Sequence, residues 1–242
     1  MRRSPAPSLL APLLVAATLA AAGCAPRVTV PESERARTAR ELEGQRRHAR
    51  VALFVGPFFG DDTRRLVTDV PRDELDLLES PDGTPTPPPM PDGVLLPGTP
   101  LRIRAVEFPT GWIIATRVVT TPRYHPWVYL DVPGDTRPGI LVLPQTVATA
   151  EAARAEIDRL LGTEDRSAEF RALPEAQRAA IALKRPSEGM TPAALEMAWG
   201  YPEKKVVDRP AGTEEWSWSG GKRTASLRDG RLVRWQAPAG SY

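Results

Sequence analysis

Seven prolines stand between Val94 and Val142 and cut that stretch into short apolar segments. Each proline fixes φ and removes a backbone donor, so neither a long helix nor a long central strand survives there. What remains reads as strand after strand: Val94 to Leu96, Leu101 to Phe108, Trp112 to Val119, Trp127 to Val132 and Ile140 to Leu143. Leu101, Ile103 and Ala105 alternate with Arg102 and Arg104, the pattern of a sheet with one face in a core and one in water. Val51 to Val55, closed by Gly56-Pro57, supplies a first buried strand. Elements this short, with turns this regular, predict a small, mostly antiparallel β barrel or sandwich over residues 51–145. Asp61 and Asp62 favour a turn over catalysis or metal binding, since no second acidic cluster accompanies them. Prolines 81, 85, 87, 88, 89 and 91 make residues 81–92 a stiff exposed loop, either an insertion between strands or a polyproline ligand.

Beyond Thr146 the period changes from two to that of a helix. Ala153, Ile157, Leu160 and Leu161 form one stripe, with Gly162 after it. Pro174 opens a second helix whose apolar face is Ala176, Ala180, Ile181 and Leu183, stopped by Pro186. Residues 146–188 thus read as a helical connector. Thr191-Pro192 then gives an N-cap followed by proline at the first helical position, with Leu195, Ala198 and Trp199 on one face and Gly200-Tyr201-Pro202 ending the helix. Trp216 and Trp218 alternate with Glu215 and Ser217, Gly220-Gly221 reads as a two-residue hairpin turn, and Asp229-Gly230 signals another that sets Leu227 opposite Leu232. Residues 189–238 are therefore expected to be helices packed on a small antiparallel sheet, and the whole chain α+β.

The N-terminus is an address. Arg2 and Arg3 precede an apolar run from Leu9 to Ala22 that contains Pro12 and falls short of the ~20 residues of a spanning helix. Residues 1–23 are expected to be a removed signal peptide, and residues 24–50, Arg-rich but interleaved with Glu, a solvated tether. Removal takes two arginines and no acid, which leaves 30 basic and 30 acidic residues. The broad positive field that nucleic acid requires is then absent, and no nucleic-acid partner is expected. One Cys excludes an internal disulfide framework, and two His leave a Cys/His metal site almost without ligands.

Leu19-Ala-Ala-Ala-Gly-Cys24 resembles the bacterial lipobox, which implies lipidation of Cys24 and a membrane attachment without a spanning segment. Ala25 follows where an Asp would retain a lipoprotein at the inner membrane, so the resemblance implies the outer membrane, facing the periplasm. Gly189-Met190-Thr191, Leu195 to Pro202, Gly212 to Trp218 and Ser226 to Leu232 resemble the BamE (SmpA/OmlA) family of small outer-membrane lipoproteins and related β-lactamase-inhibitor-like modules. That likeness covers about the last fifth of the chain and implies an α+β binding or scaffolding module with an envelope protein partner. Gly98 with Gly111-Trp112-Ile113 is similar to bacterial SH3-like barrels.

The chain has no Gly-rich phosphate loop and no Gly-x-Ser-x-Gly elbow. A non-enzymatic protein without cofactor or metal is expected. Two binding surfaces compete: Trp199, Trp216, Trp218 and Trp235 for a protein partner, and Trp112, Tyr124, Trp127 and Tyr129 for a cell-wall glycan or other ligand of the β domain. A hydrolase built on carboxylates is a third reading, requiring two carboxyl groups to converge in a cleft.

Overall fold

A computed structural model describes residues 28–80 and 82–238. Cys24 and the expected signal segment lie outside these. The described residues form an α+β fold. Its first part comprises α1 (Glu32–Leu42), β1 (Arg46–Ala49), β2 (Leu53–Phe58), β3 (Asp61–Thr68), β4 (Gly93–Leu95), β5 (Pro100–Glu107), α2 (Gly111–Thr116), β6 (Trp127–Asp131), β7 (Gly139–Val142), α3 (Ala150–Leu160) and β8 (Leu161–Gly162). These strands make one sheet in the order β4-β2-β3-β7-β6-β5-β1-β8. All neighbours are antiparallel except β3 and β7, which run parallel at Arg65↔Gly139 and Leu66↔Ile140. No ladder joins β4 to β8 among the described residues, so the expected barrel or sandwich is instead an open, curled sheet.

Successive residues face opposite ways, as a pleat requires. Val67, Val128 and Leu141 enter a core shared with Leu42 of α1 and with Ala153, Ile157 and Leu160 of α3. Leu66, Trp127 and Ile140 enter a smaller core on the other side with Phe58 and Leu75. The Pro-rich loop lies back along β2: a Cβ on Gly56 would come within 2.8 Å of the Pro91 backbone.

Three expectations are corrected here. Residues 32–50 are not a tether, because α1 packs on the sheet through buried Thr38 and Leu42 and β1 lies between β5 and β8. The interleaved charges that suggested solvation are ion pairs: Arg37 with Glu41 at 2.7 Å, Arg154 with Glu41 at 2.6 Å, and buried Arg47 with Asp158 at 2.7 Å. Trp112 to Val119 is not a strand. The Thr110 hydroxyl accepts the Ile113 N–H at 3.2 Å and nucleates α2, so a local cap overrides β-branched propensity. Residues 146–188 are not a separate connector either, since α3 belongs to the large sheet and Ile181 to the C-terminal core.

The second part contains α4 (Ser167–Ala172), α5 (Glu175–Ala182), α6 (Pro192–Trp199), β9 (Lys204–Asp208), β10 (Thr213–Trp218), β11 (Arg223–Arg228) and β12 (Arg231–Gln236), with a sheet ordered β12-β11-β10-β9. Thr191 caps α6 by accepting the Ala194 N–H at 3.2 Å, with Pro192 at the first turn. Leu227 pairs with Leu232, as the Asp-Gly turn predicts. The Gly-Gly turn is a three-residue 3₁₀ turn, Ser219–Gly221, in place of the two-residue form. Leu183, expected on the apolar face of α5, is exposed; Lys184 beside it has φ +53° and turns inward. The two parts meet at Ala52, whose N–H donates to the Met197 carbonyl at 2.7 Å while its own carbonyl accepts from Lys184 Nζ at 2.5 Å.

Candidate functional site

A cleft of about 690 Å³ opens beside β3 and β7, bounded by residues 75–79, the 119–125 loop and the end of α3. One wall is apolar, with Leu66, Val70, Leu75 and Leu143. The other carries Tyr124, Arg123, His125 and Gln145. The protonation of His125 follows from its partners. Nδ1 lies 2.9 Å from the Leu143 carbonyl, which can only accept, so Nδ1 carries the hydrogen; Nε2, 2.9 Å from Gln145 Nε2, then accepts from the amide. Tyr124 is flanked by Arg123, whose guanidinium lies 5.0 Å from the ring centroid and donates to the phenol oxygen at 3.1 Å.

The loop that presents these side chains is fastened from beneath. Buried Arg117 donates to the carbonyls of Arg123 at 2.9 Å and His125 at 2.7 Å, pairs with Glu107 at 2.6 Å, and stacks 3.6 Å from the Trp127 ring centroid. Burial pulls the Arg117 guanidinium below its ordinary pKa, with Glu107 opposing. Trp127 Nε1 donates to the Pro122 carbonyl at 3.0 Å, and the Tyr129 hydroxyl donates to Glu107 at 3.2 Å. Burial, reinforced by Glu107, pushes the Tyr129 phenol up.

At the far end of the cleft Asp69, at the foot of β3 and nearly buried, meets Arg159 at 3.0 Å; Glu156 approaches the same guanidinium at 3.6 Å. Burial works to lower the Arg159 pKa, yet these two carboxylates hold it above its ordinary value. Behind Asp69 lies Lys184, which burial drives down to about 7 with Asp69 opposing and Arg223 reinforcing the drop. Beyond it Arg223 pairs with Glu74 at 2.8 Å, both buried. Among the described residues, no group of three or more His, Cys, Asp or Glu is placed to hold a metal ion.

No family model, curated protein or solved structure matches the chain. Its site is therefore read from its own residues. Of the four aromatics expected to bind a ligand, Tyr124 alone lines the cleft. Trp127 is a core residue held between Arg117 and Arg64, half-buried Tyr129 lies beside it, and both support the loop from behind. Trp112 sits on α2, 76% exposed and outside the cleft lining.

The proposed protein-binding tryptophans require a larger correction. Trp199, Trp216 and Trp218 are buried, with Trp199 and Trp218 edge to face at 5.1 Å, because one face of a four-stranded sheet needs large rings to meet α6. Only Trp235, on edge strand β12 and 36% exposed, has a solvent face. Sequence reasoning missed Asp69, Glu74, Arg117, Arg159, Lys184 and Arg223. The available signal was charge inside apolar context, as in Thr68-Asp69-Val70 and Ala182-Leu183-Lys184.

Proposed function

We propose that the protein is an envelope lipoprotein, anchored through Cys24 to the outer membrane, that binds a cell-wall glycan in the cleft beside Tyr124. The observation that carries this reading is the cleft itself: an aromatic ring and an imidazole, on a loop fixed by Arg117 and Trp127, meet a planar amide and paired charges in a concavity of ligand size. Flat rings suit the C–H faces of sugars, and planar amide and carboxylate groups suit their hydroxyls. Asp69 and Glu156 converge on Arg159 as an ion-paired cluster, an arrangement suited to holding a polar ligand. The lipobox at Leu19 to Cys24 and the absence of Asp at position 25 support the location. The likeness of residues 189–238 to BamE-type modules supports an outer-membrane accessory role, and their helix-then-hairpin order fits it.

Two measurements test the proposal. Cys24→Ser should release the protein from the membrane fraction when membranes are washed at high salt, and persistence through that wash would count against anchoring. The soluble Cys24→Ser chain should bind muramidase-released peptidoglycan fragments, and Tyr124→Ala should weaken that binding at least tenfold with unchanged melting temperature. Equal binding by both chains would remove the cleft from the function.

A further inference from the structure

The sheet carries a second feature, on the face turned away from α1 and α3. Leu101 and Ile103 of β5 point into the core, so Arg102 and Arg104 point to solvent. Across the ladder, Arg46 of β1 lies directly opposite Arg102, and on the other side Arg102 lies opposite Asp131 of β6. Like charges facing each other across an antiparallel pair are unfavourable. An acid beside them would relieve the repulsion, and Asp131, across the ladder from Arg102, is in position to supply one. Its carboxylate is instead taken by Arg104, through Nε at 2.8 Å and through Nη2. His48, two residues along from Arg46, has Asp165 at 4.0 Å. Among the described residues, neither the Arg46 nor the Arg102 guanidinium has a hydrogen-bond or ion-pair partner, and both residues are exposed. They border a shallow groove of about 410 Å³ whose apolar lining includes Pro100 and Pro133.

We infer that Arg46 and Arg102 form a docking site for phosphate groups of anionic phospholipids, holding this face of the sheet against the bilayer. Two unpaired guanidiniums side by side offer parallel N–H donors that match phosphate oxygens. The lipid source follows from chain length. Six residues lie between Cys24 and Pro31, a reach of at most about 25 Å over seven extended Cα–Cα steps. The helix that follows, α1, is about 16 Å long and leads directly into β1. A chain anchored at Cys24 thus keeps Arg46 and Arg102 within range of headgroups. The choice of a lipid source rests on the proposed anchor, whereas the anion site rests on the sheet register alone.

The test uses the Cys24→Ser chain, so that vesicle binding is read without any acyl group. It should co-sediment with vesicles containing phosphatidylglycerol, not with pure phosphatidylcholine, and binding should fall as salt rises. Each basic residue near an anionic surface is worth about fivefold. Arg46→Gln with Arg102→Gln should therefore cost about twenty-five-fold, while Arg37→Gln, whose charge is already paired with Glu41, should cost little. The melting temperature of the double variant should stay level or rise, because a repulsive pair has been removed. Vesicle binding that is absent, or unaffected by the double variant, would overturn the inference. So would binding of inorganic phosphate to these arginines without binding to vesicles, which would mark a free-anion site. Failure of membrane anchoring in cells with intact vesicle binding in vitro would refute the lipidated Cys24 and leave the arginine site standing.

Discussion

Arg223 and Glu74, 149 positions apart in sequence, form a 2.8 Å ion pair that is almost wholly out of water at the junction of the two sheets. The pair is tied in further by the Arg223 donation to the Trp199 carbonyl at 3.3 Å and by the Ser219 hydroxyl on Glu74. Desolvating two charges costs several kcal/mol each, so a buried pair adds little net stability, yet removing one partner strands the other. Glu74→Leu or Arg223→Met alone should cost about 3–5 kcal/mol in urea unfolding. The double replacement should recover most of that loss; a simple sum of the two single losses would show the charges to be uncoupled.

Lys184 sets a pH dependence of unusual sign. Its folded pKa, near 7, lies below the unfolded value of 10.5, so between those values the unfolded chain binds more protons. Stability should rise as pH climbs from about 7 toward 10.5, and below 7 the full cost of the buried charge is present. Lys184→Met should flatten this rise, by up to a few kcal/mol given about 1.4 kcal/mol per pKa unit. Urea midpoints of the parent and variant at pH 6.5 and 9.5 check it, with parallel profiles as the contrary result.

Truncating the tryptophans should separate core from surface. Trp216→Ala removes a buried ring that touches Trp218 and should cost about 3–5 kcal/mol. Trp235→Ala, at the edge, should stay within about 0.5 kcal/mol. Thermal melts of the two variants side by side decide the matter.

Gly200 is a position that admits no side chain. Its φ is +83°, and a Cβ there would lie 2.6 Å from the Asp69 carboxylate. Gly200→Ala should cost roughly 1–3 kcal/mol from backbone strain. It should also loosen the Asp69–Arg159 contact in the cleft, measurable as weaker ligand binding than in Tyr124-intact parent protein.

How much was legible in sequence depended on how far each residue's deciding partner lay. The α6 cap, the Asp-Gly hairpin and the alternating residues of β5 are set by neighbours within a few positions, and each is where the pattern puts it. Strand β1, Arg-Arg-His-Ala, could not be read, because Arg47 is buried only by virtue of Asp158, 111 residues on. Strand β3 begins Asp-Asp-Thr-Arg-Arg, and β9 is exposed throughout, so neither offered an apolar period. The tryptophan cluster misled for a different reason. Large rings mark both cores and interfaces, and only the placement of α6 against β10 decides between them. In the cleft, Tyr124 was legible as one of a run of aromatics, but its division of labour with Trp127 and Tyr129 depended on Arg117 and Glu107 closing behind them.

The position of β1 orders events during folding. Its ladder partners are β5 on one side and β8 on the other, so one edge of the first strand can pair once Pro100 to Arg102 exist while its other edge waits for Leu161 and Gly162. A polypeptide emerging N-terminus first must therefore carry one edge of its earliest strand uncovered through two-thirds of its own length, and completion of the sheet becomes a late event that a helper could delay by holding Arg46 to Ala49 alone.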